Sequence, residues 1–253
     1  MIESRYILGT RVDVTTYDQA WEIFGTWIAQ EQWGYVVAAN VHVVMSGVWH
    51  RAFQRVVNQA ALVTADGMPL VWALKALGVK NPQRVYGPDL MLAGCAWAAK
   101  NGTAIYLYGS DENGLSQLQA QVSHQFPSLI IAGSHAPPFQ TRFPANDLAL
   151  IQDCQRIAAS GAKIVFVGLG CPKQEYWLAD YAPLIPAIVL GVGAAFAFHS
   201  GQVKQAPRWM MGRGLEWLFR LIQEPRRLWQ RYLFNNPLFL ILLAWQLLRE
   251  NRQ

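Results

Sequence analysis

The 253-residue chain is 53% hydrophobic and 15% charged, which provides for a sizeable core and argues against intrinsic disorder. Its three cysteines (Cys95, Cys154 and Cys171) form no CxxC pair, so the sequence argues against a disulfide scaffold or a zinc site and favours a reducing cytoplasm. Residues 1–10 have no positively charged head followed by an apolar run, and we therefore expect no secretory signal.

The formal net charge of +5 belongs to the C-terminal end of the chain. From Lys204 onward there are nine Lys and Arg residues and three Glu residues, a balance of +6. The preceding 203 residues have a balance of −1. The basic character is therefore a property of the tail.

Short apolar runs alternate with helix-length amphipathic stretches through most of the sequence. The predicted strands are, in chain order, residues 6–8, 35–39, 62–64, 104–108, 129–132, 164–167 and 188–190. Helical patterns lie between them, near residues 17–30, 44–59, 70–77, 90–99, 115–125, 147–159 and 174–181. This alternation, with nearly all-apolar strands, predicts an α/β fold: a Rossmann-like, mostly parallel sheet with helices on both faces.

The alternation ends near Phe196. From Ala206 onward the sequence predicts no strand, only helical stretches interrupted by Pro207, Pro225 and Pro237. We therefore expect residues 1–195 to form an α/β core and residues 196–253 to form a basic, Trp-rich helical appendage.

Polar or glycine-rich residues follow four of the predicted strands, and ligands of parallel α/β folds bind at those strand ends. The clusters are residues 40–42, 65–69, 109–111 and 168–175. Glycines between a strand and a helix let a ligand approach backbone amides, and the helix N-terminus favours phosphate. Residues 109–110 and 168–170 have this context without a full GxGxxG or P-loop motif. Each is either a nucleotide-binding turn or a tight packing turn, and their equivalent positions favour nucleotide binding.

Asp66 and Arg84 are the charged residues that we single out. Asp66 follows a buried-type strand, so its carboxylate is either a helix N-cap or a general base that accepts a proton from an incoming hydroxyl. Arg84 is either a solvated surface residue, which its position alone favours, or a bidentate partner of diphosphate oxygens. Asp89, after Pro88, is a second candidate for a helix cap.

Metal-binding patterns are absent from the sequence. It contains no D-x-D and no H-E-x-x-H, and its five histidines are scattered. We expect no metal and no cofactor, so protein cations and helix N-termini must offset the charge of any departing diphosphate.

A series of segments in order resembles the WecG/TagA/CpsF glycosyltransferases, from about Tyr6 to Tyr232. The segments are ANVH (39–42), TADGMP (64–69), RVYGPD (84–89), YGS (108–110), GLGCPKQE (168–175), GVGAAF (191–196), APRW (206–209), GLEW (214–217) and RLIQEPRR (220–227). The resemblance implies an inverting, metal-independent transfer of N-acetylmannosamine or a related hexose from a UDP-sugar. The implied acceptor is a sugar on undecaprenyl diphosphate, and the product belongs to cell-surface polysaccharide biosynthesis.

The same resemblance implies roles for single residues. Asp66 would be the catalytic base, Arg84 would hold the diphosphate, and Asn40 and Gln174 would line the pocket of the nucleotide-sugar-binding core. Further substrate contacts are expected from Gly109, Ser110, Gly168, Gly170, Pro172, Glu175, Arg220 and Arg227.

Three positions depart from the family pattern. Ala38 stands where members often have Thr, Ala197 where they often have an acid, and Gln205 where they often have Arg. The first two departures bear on sugar or base contacts and leave the donor sugar open.

The tail has features of a membrane-surface segment. Residues 237–248 are apolar, but a spanning helix needs about 20 residues. Arg213, Arg220, Arg227 and Arg231 recur at helical spacing among Trp and Leu, which suits an interfacial helix on an anionic leaflet. The alternative is an amphipathic helix packed on the core. We expect a cytoplasmic protein, peripheral on the inner face of the membrane. The sequence allows a homo-oligomer and does not predict the oligomeric state. The segment is too apolar for a nucleic-acid arm, so we expect no nucleic-acid partner.

Two other functions share parts of this pattern. A Rossmann-type oxidoreductase would need GxGxxG after the first strand, where Gly9 stands without companions. A non-catalytic nucleotide-sugar-binding module would need no carboxylate on the pocket floor.

Overall fold

The computed structural model describes residues 2–140, 143–144 and 146–250. Within these residues the strands are β1 (Ser4–Ile7), β2 (Thr10–Asp13), β3 (Gly34–Ala39), β4 (Leu62–Ala65), β5 (Ile105–Gly109), β6 (Ile131–His135), β7 (Ile164–Gly168) and β8 (Ile188–Gly191). The α-helices are α1 (Tyr17–Ala29), α2 (Val41–Trp49), α3 (Arg51–Gln59), α4 (Met68–Ala76), α5 (Gly87–Asn101), α6 (Glu112–Gln125), α7 (Leu148–Ala159), α8 (Lys173–Tyr181), α9 (Ala195–His199), α10 (Arg208–Gly212), α11 (Glu216–Gln223) and α12 (Pro225–Glu250). Arg252, counted above among the basic residues of the tail, lies outside the described residues.

The central sheet has the strand order β4-β3-β8-β7-β5-β6, and every neighbouring pair is parallel. Alternate residues of a strand point to opposite faces of the sheet. Val165 and Val167 of β7 pack into the apolar core beneath α2, α3 and α8. Ile164 and Phe166 join the core beneath α1, α5 and α6. The inner strands β5, β7 and β8 are buried on both faces and are therefore almost entirely apolar or aromatic. The edge strand β6 is only partly buried and contains Gly133, Ser134 and His135. The predicted α/β fold is confirmed.

The strand predicted near Tyr6 does not belong to this sheet. It forms an antiparallel hairpin with β2, a strand that the apolar pattern missed because Arg11 and Asp13 interrupt it. The hairpin lies against the edge of β4, where Asp13 Oδ2 accepts a hydrogen bond of 2.7 Å from the Val63 amide.

Two predicted helices have different bounds. The helix predicted over residues 44–59 is two helices, α2 and α3, separated by His50 in an extended conformation. The helix predicted from Leu90 begins at Gly87, with Tyr86 as its N-cap residue. Asp89 therefore does not cap it, and its carboxylate instead pairs with Arg208.

Pro237 does not interrupt the C-terminal helix, contrary to the prediction. The helix α12 is 26 residues long and continues through Pro237, where the proline removes one backbone N–H and crowds the carbonyl four residues before it. Leu228, Phe239 and Leu243 are buried beneath the helix, and the Gln246 side chain bonds the backbone of the β1–β2 hairpin at Tyr6 and Leu8. Its opposite face exposes the apolar residues Leu233, Phe234, Leu240, Ile241, Trp245 and Leu248. None of the helices in the described ranges combines the length and the hydropathy needed to cross a membrane.

Candidate active site

A cavity of about 940 Å³ lies at the carboxyl ends of β3, β4, β7 and β8, with residues of α11 and α12 on its other side. The first turns of α2, α4 and α8 all contribute to its lining. The N-terminus of a helix carries a partial positive charge, so three such ends at one cavity favour an anionic ligand.

Asp66 follows β4 and lies in the wall of this cavity. Its Oδ1 accepts a hydrogen bond of 2.6 Å from the Gly87 amide, and its Oδ2 accepts one of 3.2 Å from Asn40 Nδ2. Gly67 is the N-cap residue of α4, so the alternative that Asp66 caps this helix is wrong. Burial raises the pKa of Asp66 above its usual 3.8, and Arg84 and the Gly87 amide offset part of that rise. A carboxyl group with increased proton affinity suits a general base.

Asn40 fixes both the start of α2 and the orientation of Asp66. Its Oδ1 accepts hydrogen bonds from the amides of His42 at 3.0 Å and Val43 at 3.3 Å, which caps the helix. The Nδ2 group is then directed at Asp66. Because the amide oxygen is committed to the cap, the Asn40 side chain has one orientation in which both contacts form.

Arg84 is not a solvated surface residue, which corrects the interpretation favoured by its position in the sequence. Its side chain is only 16% exposed and lies in the cavity wall. The Nε group donates to the backbone oxygen of Asp66, and Nη2 pairs with Glu216 Oε2 at 2.5 Å. The guanidinium lies over the Tyr86 ring, 4.0 Å from its centre, and the Tyr86 hydroxyl donates to Glu216 Oε1 at 2.9 Å.

Gln174 and Glu175 lie in the first turn of α8 and line the cavity. Gln174 Oε1 accepts a hydrogen bond of 3.0 Å from the Gly193 amide, so this side chain also holds the turn after β8. Glu175 is 1% exposed, and its Oε2 has no hydrogen-bond partner among the described residues. Burial raises its pKa above the usual 4.5.

The two glycine turns contribute unequally to the cavity. Ser110, Gly168 and Gly170 line it, whereas Gly109 and Pro172 are not among its lining residues. Gly109 has φ +127°, and a Cβ there would lie 2.6 Å from the Gly168 oxygen, so the close approach of the two strands requires glycine. Ser110 has φ +63°, a left-handed conformation that non-glycine residues seldom adopt.

The C-terminal helices place three arginines in the cavity lining: Arg220, Arg227 and Arg231. The Arg220 side chain is 14% exposed and lies over Phe198, whereas that of Arg227 is 63% exposed and pairs with Glu224 at 2.9 Å. Some of the arginines that recur at helical spacing in the tail therefore line the cavity.

Some residues around the cavity were not singled out from the sequence. Glu216 and Tyr86 were identified only within the segments that resemble the family. No sequence spacing predicts a contact between residues 130 positions apart. Of the three departures from the family pattern, Ala38 and Ala197 line the cavity.

The fold and the cavity are compatible with an α/β enzyme of the group-transferring class. A partly exposed carboxylate with raised proton affinity lies beside a guanidinium and helix N-termini, an arrangement that can deprotonate a nucleophile and accept a phosphorylated ligand. The family model "Glycosyl transferase WecG/TagA/CpsF family" matches residues 5–253. The chain belongs to this family and is a glycosyltransferase.

One relative is similar over most of both chains. It is the N-acetylglucosaminyldiphosphoundecaprenol N-acetyl-beta-D-mannosaminyltransferase of Bacillus spizizenii, 29% identical over 209 residues. The match covers 82% of this chain and 78% of the relative.

Proposed function

We propose that this protein transfers N-acetylmannosamine or a related hexose from a UDP-sugar to a sugar acceptor linked through a diphosphate to undecaprenol, in cell-surface polysaccharide biosynthesis. The observation on which this depends is the Asp66 carboxylate in the cavity wall, next to Arg84. The name of the Bacillus relative, which specifies both a mannosaminyl group and an undecaprenol-linked acceptor, supports the choice of substrates.

The proposed reaction is a single displacement. The acceptor oxygen forms a bond to the anomeric carbon of the donor while Asp66 takes the hydroxyl proton. The bond between that carbon and the β-phosphate oxygen breaks, and UDP leaves with the electron pair. Attack opposite the leaving group inverts the anomeric configuration. Arg84 and the N-termini of α2 and α8 offset the charge on UDP.

The remaining substrate contacts follow the cavity lining. Ser110, Gly168 and Gly170 would hold the nucleotide, with Gly109 and Pro172 setting the shape of the two turns. Sugar contacts would come from Asn40, Gln174 and Glu175, and diphosphate contacts from Arg220 and Arg227. We propose a metal-independent reaction: guanidinium groups surround the cavity, and the described residues contain no cluster of three or more His, Cys, Asp or Glu side chains that could hold a metal ion.

The test is transfer from UDP-N-acetylmannosamine to N-acetylglucosaminyl-diphosphoundecaprenol, followed as UDP release with and without acceptor. We expect acceptor-dependent release that EDTA does not reduce, and a product of inverted anomeric configuration by NMR. UDP release that needs added divalent metal, or a product of retained configuration, would contradict the mechanism. Nucleotide binding without turnover across a panel of UDP-sugars would favour a binding module.

We also propose that residues 1–195 form the catalytic core and that residues 196–253 attach it to the inner face of the cytoplasmic membrane. The exposed apolar face of α12 supports this proposal, because a contiguous apolar face on a soluble protein marks an interaction site.

A matched pair of variants tests the membrane proposal. Ile241→Glu changes a residue of α12 that is 65% exposed, and Ile130→Glu makes the same change at a 50% exposed residue of the sheet domain. We expect only Ile241→Glu to reduce sedimentation with vesicles containing anionic phospholipid. If Ile241→Glu instead converts an oligomer to monomers and leaves sedimentation unchanged, the apolar face is a protein interface.

A further inference from the structure

Three residues from the C-terminal part of the chain make contacts with one short segment, residues 84–89 (the 84–89 loop), whose last three residues begin α5. His199 Nε2 contacts the Pro88 oxygen at 2.9 Å. Arg208 pairs with Asp89 through two contacts of 2.6 and 3.0 Å, and Glu216 bonds both Arg84 and Tyr86. Residues of α9, α10 and α11 therefore all hold the 84–89 loop in place.

The same loop holds Asp66. The Arg84 Nε group donates to the Asp66 backbone oxygen, and the Gly87 amide donates to its side-chain Oδ1 at 2.6 Å. Glu216, at the start of α11, is thus separated from the proposed base by a single side chain, that of Arg84.

The contact between Glu216 and Arg84 differs from the one between Arg208 and Asp89 in its burial. The Arg84 and Glu216 side chains are 16% and 14% exposed, whereas the Arg208 side chain is 70% exposed. Exposed ion pairs contribute little because water and salt screen them, while a buried pair with good geometry fixes both side chains. Of these two ion pairs, therefore, only the one between Glu216 and Arg84 fixes the direction of a side chain in the cavity wall.

Glu216 also leaves one part of the guanidinium available. Nε and Nη2 of Arg84 are bonded to Asp66 and Glu216, and Nη1 has no hydrogen-bond partner among the described residues. A guanidinium is planar, so two fixed nitrogens determine the direction of the third. Tyr86 completes the arrangement, because its ring supports the guanidinium and its hydroxyl binds the second oxygen of Glu216.

We infer that Glu216 is a positioning residue for the transfer reaction: its carboxylate orients Arg84 so that Nη1 faces the departing diphosphate. This inference rests on the proposed function. It assigns to a C-terminal helix a specific contribution to turnover in addition to any role in attachment to a surface.

The test compares Glu216→Ala, Glu216→Gln and the matched control Arg208→Ala, which removes an ion pair to the same loop. With UDP-N-acetylmannosamine and N-acetylglucosaminyl-diphosphoundecaprenol we expect Glu216→Ala to lower kcat about 10- to 100-fold. Glu216→Gln should recover most of this loss, because a Gln amide can still accept from Arg84 and donate to the Tyr86 hydroxyl. Arg208→Ala should stay within about threefold of the wild type, as expected for an exposed pair.

A second measurement does not depend on turnover. The Arg84 side-chain N–H signal in ¹⁵N NMR, assigned with Arg84→Lys, should exchange slowly with water in the wild type, in Glu216→Gln and in Arg208→Ala. It should exchange faster in Glu216→Ala. If the wild type transfers no sugar, the proposed function fails while this signal still reports whether Glu216 orders Arg84.

Several results would overturn the inference. Equal losses of kcat in Glu216→Ala and Arg208→Ala would mean that the loop needs tethering and nothing more specific. An increase in kcat for Glu216→Ala would mean that Glu216 competes with the diphosphate for Arg84. If Glu216→Ala does not fold, Tyr86→Phe serves in its place, since it removes one of the two anchors of Glu216 and should speed the exchange of the Arg84 signal.

Discussion

Replacing Asp66 by Asn removes the proposed base and leaves the shape of the side chain almost unchanged. General bases contribute roughly 10²–10⁴ in rate, so we expect kcat to fall by that factor while the affinity for UDP-sugar stays nearly the same. The measurement is UDP release at saturating donor and acceptor, together with donor binding by calorimetry.

The structure adds a second effect to this substitution. The new amide nitrogen would face Asn40 Nδ2, now 3.2 Å from Asp66 Oδ2, and Asn40 cannot rotate without losing its cap on α2. Two donors would then oppose each other, and an unpaired buried donor costs about 1–3 kcal/mol. The melting temperature should fall by roughly 2–4 °C for each kcal/mol lost.

A compensating variant separates the two effects. In Asp66→Asn with Asn40→Asp, the new carboxylate at position 40 still caps α2 and accepts from the new amide at position 66. Stability should return toward that of the wild type, whereas turnover should stay low because the carboxylate has moved. Turnover restored to within tenfold in the double variant, or unchanged in Asp66→Asn alone, would refute a position-specific base.

The pH dependence of turnover should also report on Asp66. Since burial raises the pKa of this carboxyl above its usual 3.8, the base becomes protonated as the pH falls through that raised value. We expect kcat to decline on the acid side at a pH above 3.8. An acid limb at or below that value would contradict the assignment.

Three further predictions concern residues other than Asp66. Glu175→Gln should make the free energy of unfolding less dependent on pH. The buried Glu175 carboxyl has a raised pKa, so it stabilises the fold at a pH below the usual pKa of 4.5 and loses that contribution as the pH rises through the raised value. Melting curves from pH 4 to 8 test this. Gly94→Ala should destabilise the fold by about 1–3 kcal/mol in denaturant titrations, because its Cβ would lie 2.2 Å from the Trp21 ring. Tyr108→Phe should cost about 1 kcal/mol and leave kcat unchanged, since the Tyr108 hydroxyl bonds buried Asp153 at 2.9 Å and neither residue lines the cavity.

The sequence alone determined the parallel sheet and much of the cavity edge. In β7, Val165 and Val167 face one core and Ile164 and Phe166 the other, and a strand buried on both faces must be apolar at every position. Polar residues directly after such strands lie at one sheet edge, so the joint position of Asp66 and Asn40 was predictable from the strand pattern.

Other features depend on contacts between distant parts of the chain. The apolar pattern predicted neither the helix break at His50 nor the helix that continues through Pro237. On the far side of Pro237, α12 buries Phe239 and Leu243 against the rest of the chain. The β1–β2 hairpin lies outside the main sheet because its own hydrogen bonds close locally, whereas parallel strands need a crossover connection.

The environment of Arg84 could not be predicted from its neighbours in the sequence. Its sequence neighbours suggested a solvated arginine, and the structure instead buries it against Glu216, 132 positions later. Apolar periodicity specifies which face of an element is buried, and this information lies within a few residues. The identity of an ion-pair partner depends on which surfaces the folded chain brings together, so the tertiary structure alone decided that α11 lies beside the proposed base.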